Sequence, residues 1–432
     1  MITDPSAVIV LLGVFLALVA IGVHIAFAVL LASLATVTFI GLPAATVIQN
    51  LVKGINIYSL MAVPFFILAG EIMMQGGITD RLIRLSQSLV GWIRGSLAQV
   101  NIVACLLFGA ISGSSAAGTS AIGGMMIPKM KKDGYDVDFA TSVTMASSVE
   151  CMLIPPSHNM VLFALAAGNV SIAKLFLGGI LPGFLLASVL GIYSYYVAQK
   201  KKYPKGAPFH LPLVFQCLKE SLPGLVAVLI VVGGVLGGIF TATEAAAVSV
   251  FYALLVGMFV YREIKVRDLY SLFAKALKTI SIVLVLTGSS ACFSWLIAYL
   301  KVPAYISNLM LSITDSPVII LLLINLLLIF CGMIMDMAAL ILIMTPILLP
   351  IVIQLGMDPV HFCQILILNL GMGLITPPVG GTLFIGSAIS GVGVEKLTRA
   401  MFPFYGIMIL ALLIVTFVPE LSLFLPNFFM GN

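Results

Sequence analysis

Long apolar runs separated by short polar or basic connections fill this 432-residue chain. A membrane-crossing helix needs roughly 20 apolar residues. The pattern predicts crossings near 6–20, 22–40, 58–77, 139–167, 173–197, 221–240, 244–262, 280–300 and 403–425. Two further runs, 98–130 and 318–352, are each interrupted midway. The first interruption, SGSSAAGTSAIGG at 112–124, carries five hydroxyls and four glycines and no charge. The second, GMIMDMAA at 332–339, holds Asp336. A surface loop normally brings charge, so both interruptions read as lying at membrane depth.

The pattern is written twice. Pro128 and Pro350 stand 222 positions apart (350 − 128 = 222). The same offset relates Phe108 to Phe330, Gly134 to Gly356, Asp136 to Asp358, and Pro155 and Pro156 to Pro377 and Pro378. It also lays 22–40 on 244–262 and 41–57 on 263–279. The chain therefore divides into a first repeat, 1–199, a cytoplasmic linker, 200–220, and a second repeat, 221–432. The equivalent segments 43–56 and 265–278 are amphipathic. They read as interfacial helices along the membrane, with ordinary connecting loops as the alternative.

Composition turns this pattern into a class. Hydrophobic residues make up 61% of the chain and charged residues only 9%, against about 25% charged in soluble domains. Open strands cannot span a bilayer and barrel strands alternate, so the prediction is an all-α polytopic membrane protein. No basic region precedes the first apolar run, which reads as a span and not as a signal peptide. The six cysteines sit mostly in apolar runs without CxxC spacing and read as core residues.

The net charge of +5 informs topology and does not point to nucleic acid. Arg81, Arg84, Arg94, Lys129, Lys131, Lys132, Lys200, Lys201, Lys202, Arg262, Lys265, Arg267, Lys396 and Arg399 fall on one side, the cytoplasm. The linker 346–358 has no Lys or Arg and falls on the other. Both hold only if 98–132 and 318–350 enter and leave on their own sides, as re-entrant hairpins. Five crossings per repeat then invert the second repeat and put both termini outside, in the periplasm. Inverted repeats with broken helices are secondary-transporter architecture, with binding at the midplane.

Two more breaks, LIPPSHN at 153–159 and LITPPVGGT at 374–382, are related by the same offset. Broken helices at membrane depth expose carbonyl and hydroxyl oxygens, which suit a hard cation such as Na+, and amides, which suit an anion. Ser112, Gly113, Ser114 and Ser115 are ion-site candidates; small residues also serve close helix packing, the competing account for Thr119 and Ser120. Asn159 and Thr376 are candidate ligands, whereas His158 fits a local backbone hydrogen bond. Asp336 is either a functional intramembrane acid or a capping residue that organises the turn. Glu71 and Glu150 could each pair with a cation or carry a proton. Glu244 fits a T-x-x-E capping box at 241–244. Trp92 and Trp295 read as interfacial or packing residues. Enzyme motifs are missing: GAISG at 109–113 is not GxSG, GxGD is absent, and there is no P-loop, HExxH or dinucleotide motif.

Several stretches together resemble one family: GEI at 70–72, LFGAISGSSAAGTSAIG at 107–123, IPPS at 154–157, FTATEAAAVSVFYALLVG at 240–257 and LITPPVGGTLF at 374–384. They are similar to the large membrane subunit (DctM type) of tripartite ATP-independent periplasmic (TRAP) transporters, across essentially the whole chain. The resemblance implies an ion-transporter-superfamily fold, an elevator mechanism, and a place in the bacterial inner membrane among its lipids. It implies Na+-driven import of an organic acid anion delivered by a periplasmic binding protein of DctP type. It also implies a small membrane subunit of DctQ type, expected as a separate polypeptide because the chain begins at its first span. Among subtypes the chain looks most like the sialic-acid version, and C4-dicarboxylate versions share its motifs. Carried over, the sodium sites fall on Ser112, Gly113, Ser114, Ser115, Pro155, Ser157 and Asn159, and on Gly332, Asp336, Thr376, Pro377 and Gly380. Substrate would meet Ser115, Asn159, Thr376, Gly381 and Thr382. No arginine lies in these stretches to clamp a carboxylate. The rival readings are a stand-alone ion-coupled anion transporter or antiporter, and a passive channel, which would need a continuous polar stripe.

Overall fold

The computed structural model describes residues 5–168, 170–306 and 316–431, and their regular structure is helical throughout. The chain ends assigned above to the periplasm lie outside the described residues. The first repeat contains α1 (Pro5–Ala20), α2 (Ile25–Phe39), α3 (Ala45–Ile55), α4 (Ala62–Gln75), α5 (Ile78–Val90), α6 (Ser96–Ser112), α7 (Ser115–Lys132), α8 (Val137–Ser148), α9 (Glu150–Leu153), α10 (His158–Ala167) and α11 (Ile172–Lys201). The second contains α12 (Leu211–Leu236), α13 (Ala242–Leu255), α14 (Leu269–Tyr299), α15 (Pro317–Gly332), α16 (Met337–Gln354), α17 (Pro359–Gly373), α18 (Gly381–Ser390), α19 (Val394–Phe417) and α20 (Glu420–Met430).

The 222-residue offset holds in three dimensions. Helices α7 and α16 start 222 residues apart (337 − 115), as do α8 and α17 (359 − 137) and α11 and α19 (394 − 172). The local causes repeat too. Gly134 and Gly356 take φ of +84° and +81°, ending the preceding helices in a conformation that favours glycine. The Pro155–Pro156 and Pro377–Pro378 peptides are both cis. Thr241 and Glu244 close the expected capping box: Glu244 N donates to Thr241 Oγ1 at 3.3 Å, and Thr241 N donates to Glu244 Oε2 at 2.8 Å.

Several boundaries differ from the sequence expectation. The segment 265–278 is not a separate interfacial helix; most of it is the start of the 31-residue α14, whereas its counterpart α3 stops at Ile55. The run 139–167 is bent by 50° between Val137–Leu153 and His158–Ala167. The run 403–425 divides at Val418, where Pro419 restricts the preceding residue. The basic connection after hairpin 1 stays helical to Lys132, and the second-repeat helix begins at Leu211, inside the expected linker. Among the described residues, seven helices are long and apolar enough to cross a membrane, or eight if the bent pair counts as one. Helices α1 and α2, with 16 and 15 residues, fall short of that length.

The helices pack as two groups that also touch, through α5 on α6 and α14 on α16. In one, α13 lies on α4, α3 and α2 lie on α14, and α12 lies on α5 and α13. In the other, α6–α11 pack with α15–α20, and the repeats cross: α7 lies on α18 of the opposite repeat, and α10 lies on α16. At its centre, α8 is buried from Phe139 to Ser148 and α17 from Val360 to Gly373. Lipid is as apolar as leucine, so close backbone approach must hold such helices together. A Cβ on Gly109 would lie 2.6 Å from Cys151 Cα, and one on Gly373 would lie 2.4 Å from the Gly332 carbonyl carbon. The two contacts are near-equivalents: Cys151 and Gly373 differ by 222, while Gly109 corresponds to Cys331, the neighbour of Gly332.

The basic segments meet at one end of the bundle. Arg81 pairs with Glu263 at 3.7 Å and stacks on Tyr261, and Lys129 donates to Gln87. Arg94 donates to Gln199, and Lys396 pairs with Asp138 at 3.8 Å. Each exposed pair stabilises little by itself; their common location is the finding. Asp136 joins this end, accepting a hydrogen bond from Tyr203 Oη at 2.9 Å and pairing with Lys201 at 3.2 Å. Those contacts, the tyrosine first, hold its carboxyl below the usual carboxylate range. A depressed carboxyl stabilises the fold above its unfolded value of about 3.9, and the effect is lost as pH falls through the folded value. Tyr203→Phe is therefore expected to melt below the native protein at neutral pH, with the gap narrowing under acid. A gap of constant size across that range would show that Asp136 is not the group involved.

Candidate ion and substrate site

The first hairpin turns in two residues. Helix α6 ends at Ser112, Gly113 takes φ of +59°, and Ser114 caps α7, its Oγ accepting from Ala117 N at 3.3 Å. The break at 154–157 lies against this tip. Asn159 Nδ2 donates to Gly113 O at 3.1 Å, and a Cβ on Gly113 would lie 3.2 Å from Ser157 Cα. Ser115, the first residue of α7, is buried with its Oγ 2.7 Å from Ser148 Oγ and 3.4 Å from Thr382 Oγ1. The Ser148 hydroxyl donates to Met145 O at 2.7 Å, so Ser115 must be the donor to Ser148. The oxygen of Ser115 thus keeps acceptor capacity toward Thr382, which belongs to the other repeat. Ser157 Oγ and Thr119 Oγ1 are buried without a hydrogen-bond partner.

The second hairpin is built on the same plan with a longer tip. Helix α15 ends at Gly332, and 333–336 are non-helical. Asp336 caps α16, its Oδ2 accepting from Ala338 N at 3.0 Å while the amides of Met337 and Ala339 also face the carboxylate. The capping role is real, and it leaves the charge in an amide nest at the tip. Val379 N donates to Met333 O at 3.0 Å, tying break to tip as Asn159 does in the first repeat. Around the break, Thr376 Oγ1 donates to Met372 O, Tyr405 Oη donates to Ile375 O, and Thr382 N donates to Leu374 O. Gly380 takes φ of +43° at the start of α18.

The sequence candidates thus gather as two tip-and-break clusters, joined where Ser115 meets Thr382. The clusters differ in access. Gly113, Ser115, Pro155, Ser157 and Asn159 are buried, whereas Asp336 and Gly381 are exposed and Thr376 and Pro377 half-buried. Gly332 has a packing explanation, its contact with Gly373. Among the described residues no group of three or more His, Cys, Asp or Glu side chains could hold a metal ion. The oxygens these clusters offer are hydroxyls, carbonyls and the Asp336 carboxylate.

Sequence reasoning missed Ser148, whose role depends on packing between α7 and α8. It also passed over Ser289 and Ser290 on α14, buried hydroxyls without partners. The hydroxyl-rich TGSSACFS at 287–294, within an apolar run, was the available signal. Glu71 belongs elsewhere. It pairs with Lys275 at 2.5 Å and accepts from Gln75 Nε2 at 3.1 Å, clasping α4 to α14. Trp92 is exposed, and Trp295 stacks on Tyr299 at 5.3 Å.

The sequence profile of the DctM component of the tripartite ATP-independent periplasmic transporter matches residues 12–421. The chain belongs to the DctM family. This DctM protein is 42% identical to the uncharacterized protein YgiK of Salmonella typhimurium, covering 98% of each chain. It is 40% identical to the isethionate TRAP transporter permease DctMQ of Oleidesulfovibrio alaskensis, over 99% of this chain and 67% of that one. It is 38% identical to the sialic acid TRAP transporter large permease SiaM of Vibrio cholerae, over 89% and 90%. The YdaH transporter of Alcanivorax borkumensis shares its fold, with a TM-score of 0.62 over 87% of this chain and 88% of that chain at 17% identity. The DctM protein is accordingly a multi-pass membrane permease subunit of a bacterial TRAP transporter for organic acid import, and not an enzyme. The family implies a DctQ-type subunit and a periplasmic binding protein as its partners.

Proposed function

We propose that this DctM subunit imports an organic acid anion together with Na+, by an elevator movement of the α6–α11 and α15–α20 group against the rest. The observation that carries the reading is the junction of Ser115 with Thr382. It brings the first turn of a hairpin helix in one repeat to the post-break helix of the other. Sodium would bind at the two tips, through the oxygens of Ser112, Gly113, Ser114, Ser115, Pro155, Ser157 and Asn159, and of Gly332, Asp336, Thr376, Pro377 and Gly380. The unpartnered hydroxyl of Ser157 and the amide-nested carboxylate of Asp336 support that assignment. The anion would sit between the tips, on Ser115, Asn159, Thr376, Gly381 and Thr382. With no arginine in these segments, its charge would be met by amides, hydroxyls and bound Na+.

Sialic acid is the first substrate to test, with isethionate and a C4-dicarboxylate as competitors, because the relatives named for them are comparably similar. The decisive experiment is uptake into proteoliposomes holding this chain and its small subunit. Uptake is expected only with a Na+ gradient and added binding protein; uptake by this chain alone would overturn the tripartite reading. Ser115→Ala removes one hydroxyl ligand, which contributes about 0.5–1.5 kcal/mol. The Na+ concentration for half-maximal uptake should rise roughly two- to tenfold. An unaltered sodium dependence would remove Ser115 from the site.

A further inference from the structure

Glu150 starts α9, just ahead of the first break, and is fully buried. Both of its carboxyl oxygens lack a hydrogen-bond partner. The helices α6, α7, α8, α11 and α17 enclose it. The ionisable groups within electrostatic reach are the thiols of Cys105 and Cys151, and Cys151 Sγ donates to Cys105 O at 3.2 Å. The other charged groups of these helices stand near their ends: Lys129, Lys131 and Lys132 on α7, Asp138 on α8, Lys174, Lys200 and Lys201 on α11. On α17, His361 is engaged with Val415 O at 2.7 Å. An ionised carboxylate with neither donor nor cation costs several kcal/mol, so these surroundings accept the neutral acid.

The other repeat shows what this position can open onto. Its equivalent is Met372 (150 + 222), which lines a cavity of about 510 Å³ with Met333, Thr376 and Tyr405. In the first repeat the counterparts of Thr376 and Tyr405 are Ile154 and Gly183, at the same offset. There the space is filled: a Cβ on Gly183 would lie 2.5 Å from Ile154 Cδ1. One repeat is open beside its break and the other is sealed over an acid.

We propose that Glu150 is a proton-binding site in the mobile group, protonated while the first break is sealed and deprotonated when α9 and α11 part. The step is uptake of one H+ by a carboxylate to give the carboxylic acid, and its reversal on opening. It is separate from sodium binding at the tips and does not depend on it. Low pH then favours the sealed arrangement, and the sealed-to-open ratio changes by up to about tenfold per pH unit between the carboxyl's values in the two states.

Cys151, adjacent in sequence and buried, reports the opening; Cys363, buried on α17, corrects for thiol ionisation and reagent entry. The complex in liposomes is treated with a membrane-permeant maleimide between about pH 6 and pH 8, and both cysteines are quantified by peptide mass spectrometry. The Cys151-to-Cys363 labelling ratio is expected to rise with pH in the native protein, by up to about tenfold per pH unit as one-proton linkage allows, and to stay flat in Glu150→Gln. Glu150→Met installs the residue of the second repeat and should give the same flat profile, which covers the case that the glutamine variant fails to fold. A native ratio independent of pH, or a native slope retained in either folded variant, overturns the proposal.

Discussion

Asp336→Asn is expected to raise the Na+ concentration for half-maximal uptake by one to two orders of magnitude while leaving the protein folded. Asparagine caps a helix about as well as aspartate, so the hydrogen bond to Ala338 N at 3.0 Å survives in kind. Only the charge is lost. Interactions of a charged ligand contribute about 1.5–3 kcal/mol, or roughly ten- to a hundredfold in affinity. Asp336→Ala separates the two roles, because it also removes the cap, at about 1 kcal/mol of stability. If Asp336 only organises the turn, the asparagine variant will transport with native sodium dependence and the alanine variant will simply melt earlier. That pattern would strike Asp336 from the site.

Gly373→Ala should be strongly destabilising for a single-methyl change. The added carbon would lie 2.4, 2.5 and 2.7 Å from the carbonyl carbon, Cα and oxygen of Gly332, and backbone cannot swing aside as a side chain can. Overpacking of this kind costs about 1–3 kcal/mol. Here it would push α15 off α17 and carry the second tip with it, so uptake should fall along with stability. The control is Gly406→Ala on α19, where a Cβ meets nothing within 4 Å. There the gain in helix propensity predicts a neutral or slightly raised melting temperature. Equal melting temperatures for the two variants in detergent would show that the Gly332–Gly373 contact is not a constraint.

What was legible in the sequence was what depends on local chemistry and on the repeat. The paired breaks at Pro155–Pro156 and Pro377–Pro378, the Thr241–Glu244 box and the gathering of basic segments at one end all follow from residues read along the chain. The continuity of α14 did not, because an amphipathic stretch followed by an apolar one has the same pattern whether or not the helix bends between them. Nor did Ser148, a hydroxyl in an ordinary helical run that matters only because α8 carries it to Ser115. The crossing of the repeats was hidden for the same reason. Nothing in 115–132 announces that its neighbour is 381–390, since close approach between small residues leaves no periodicity of its own.

That crossing has a consequence for how the chain is made. Ser115 and Thr382 are 267 positions apart. At about 5–20 residues per second, the ribosome needs roughly 13–50 s to supply the second after the first. Through that interval the first hairpin stands in the membrane without the helix that completes it, its hydroxyl seam facing lipid or whatever holds it. The order of synthesis therefore leaves the first hairpin incomplete until the last quarter of the chain has been made.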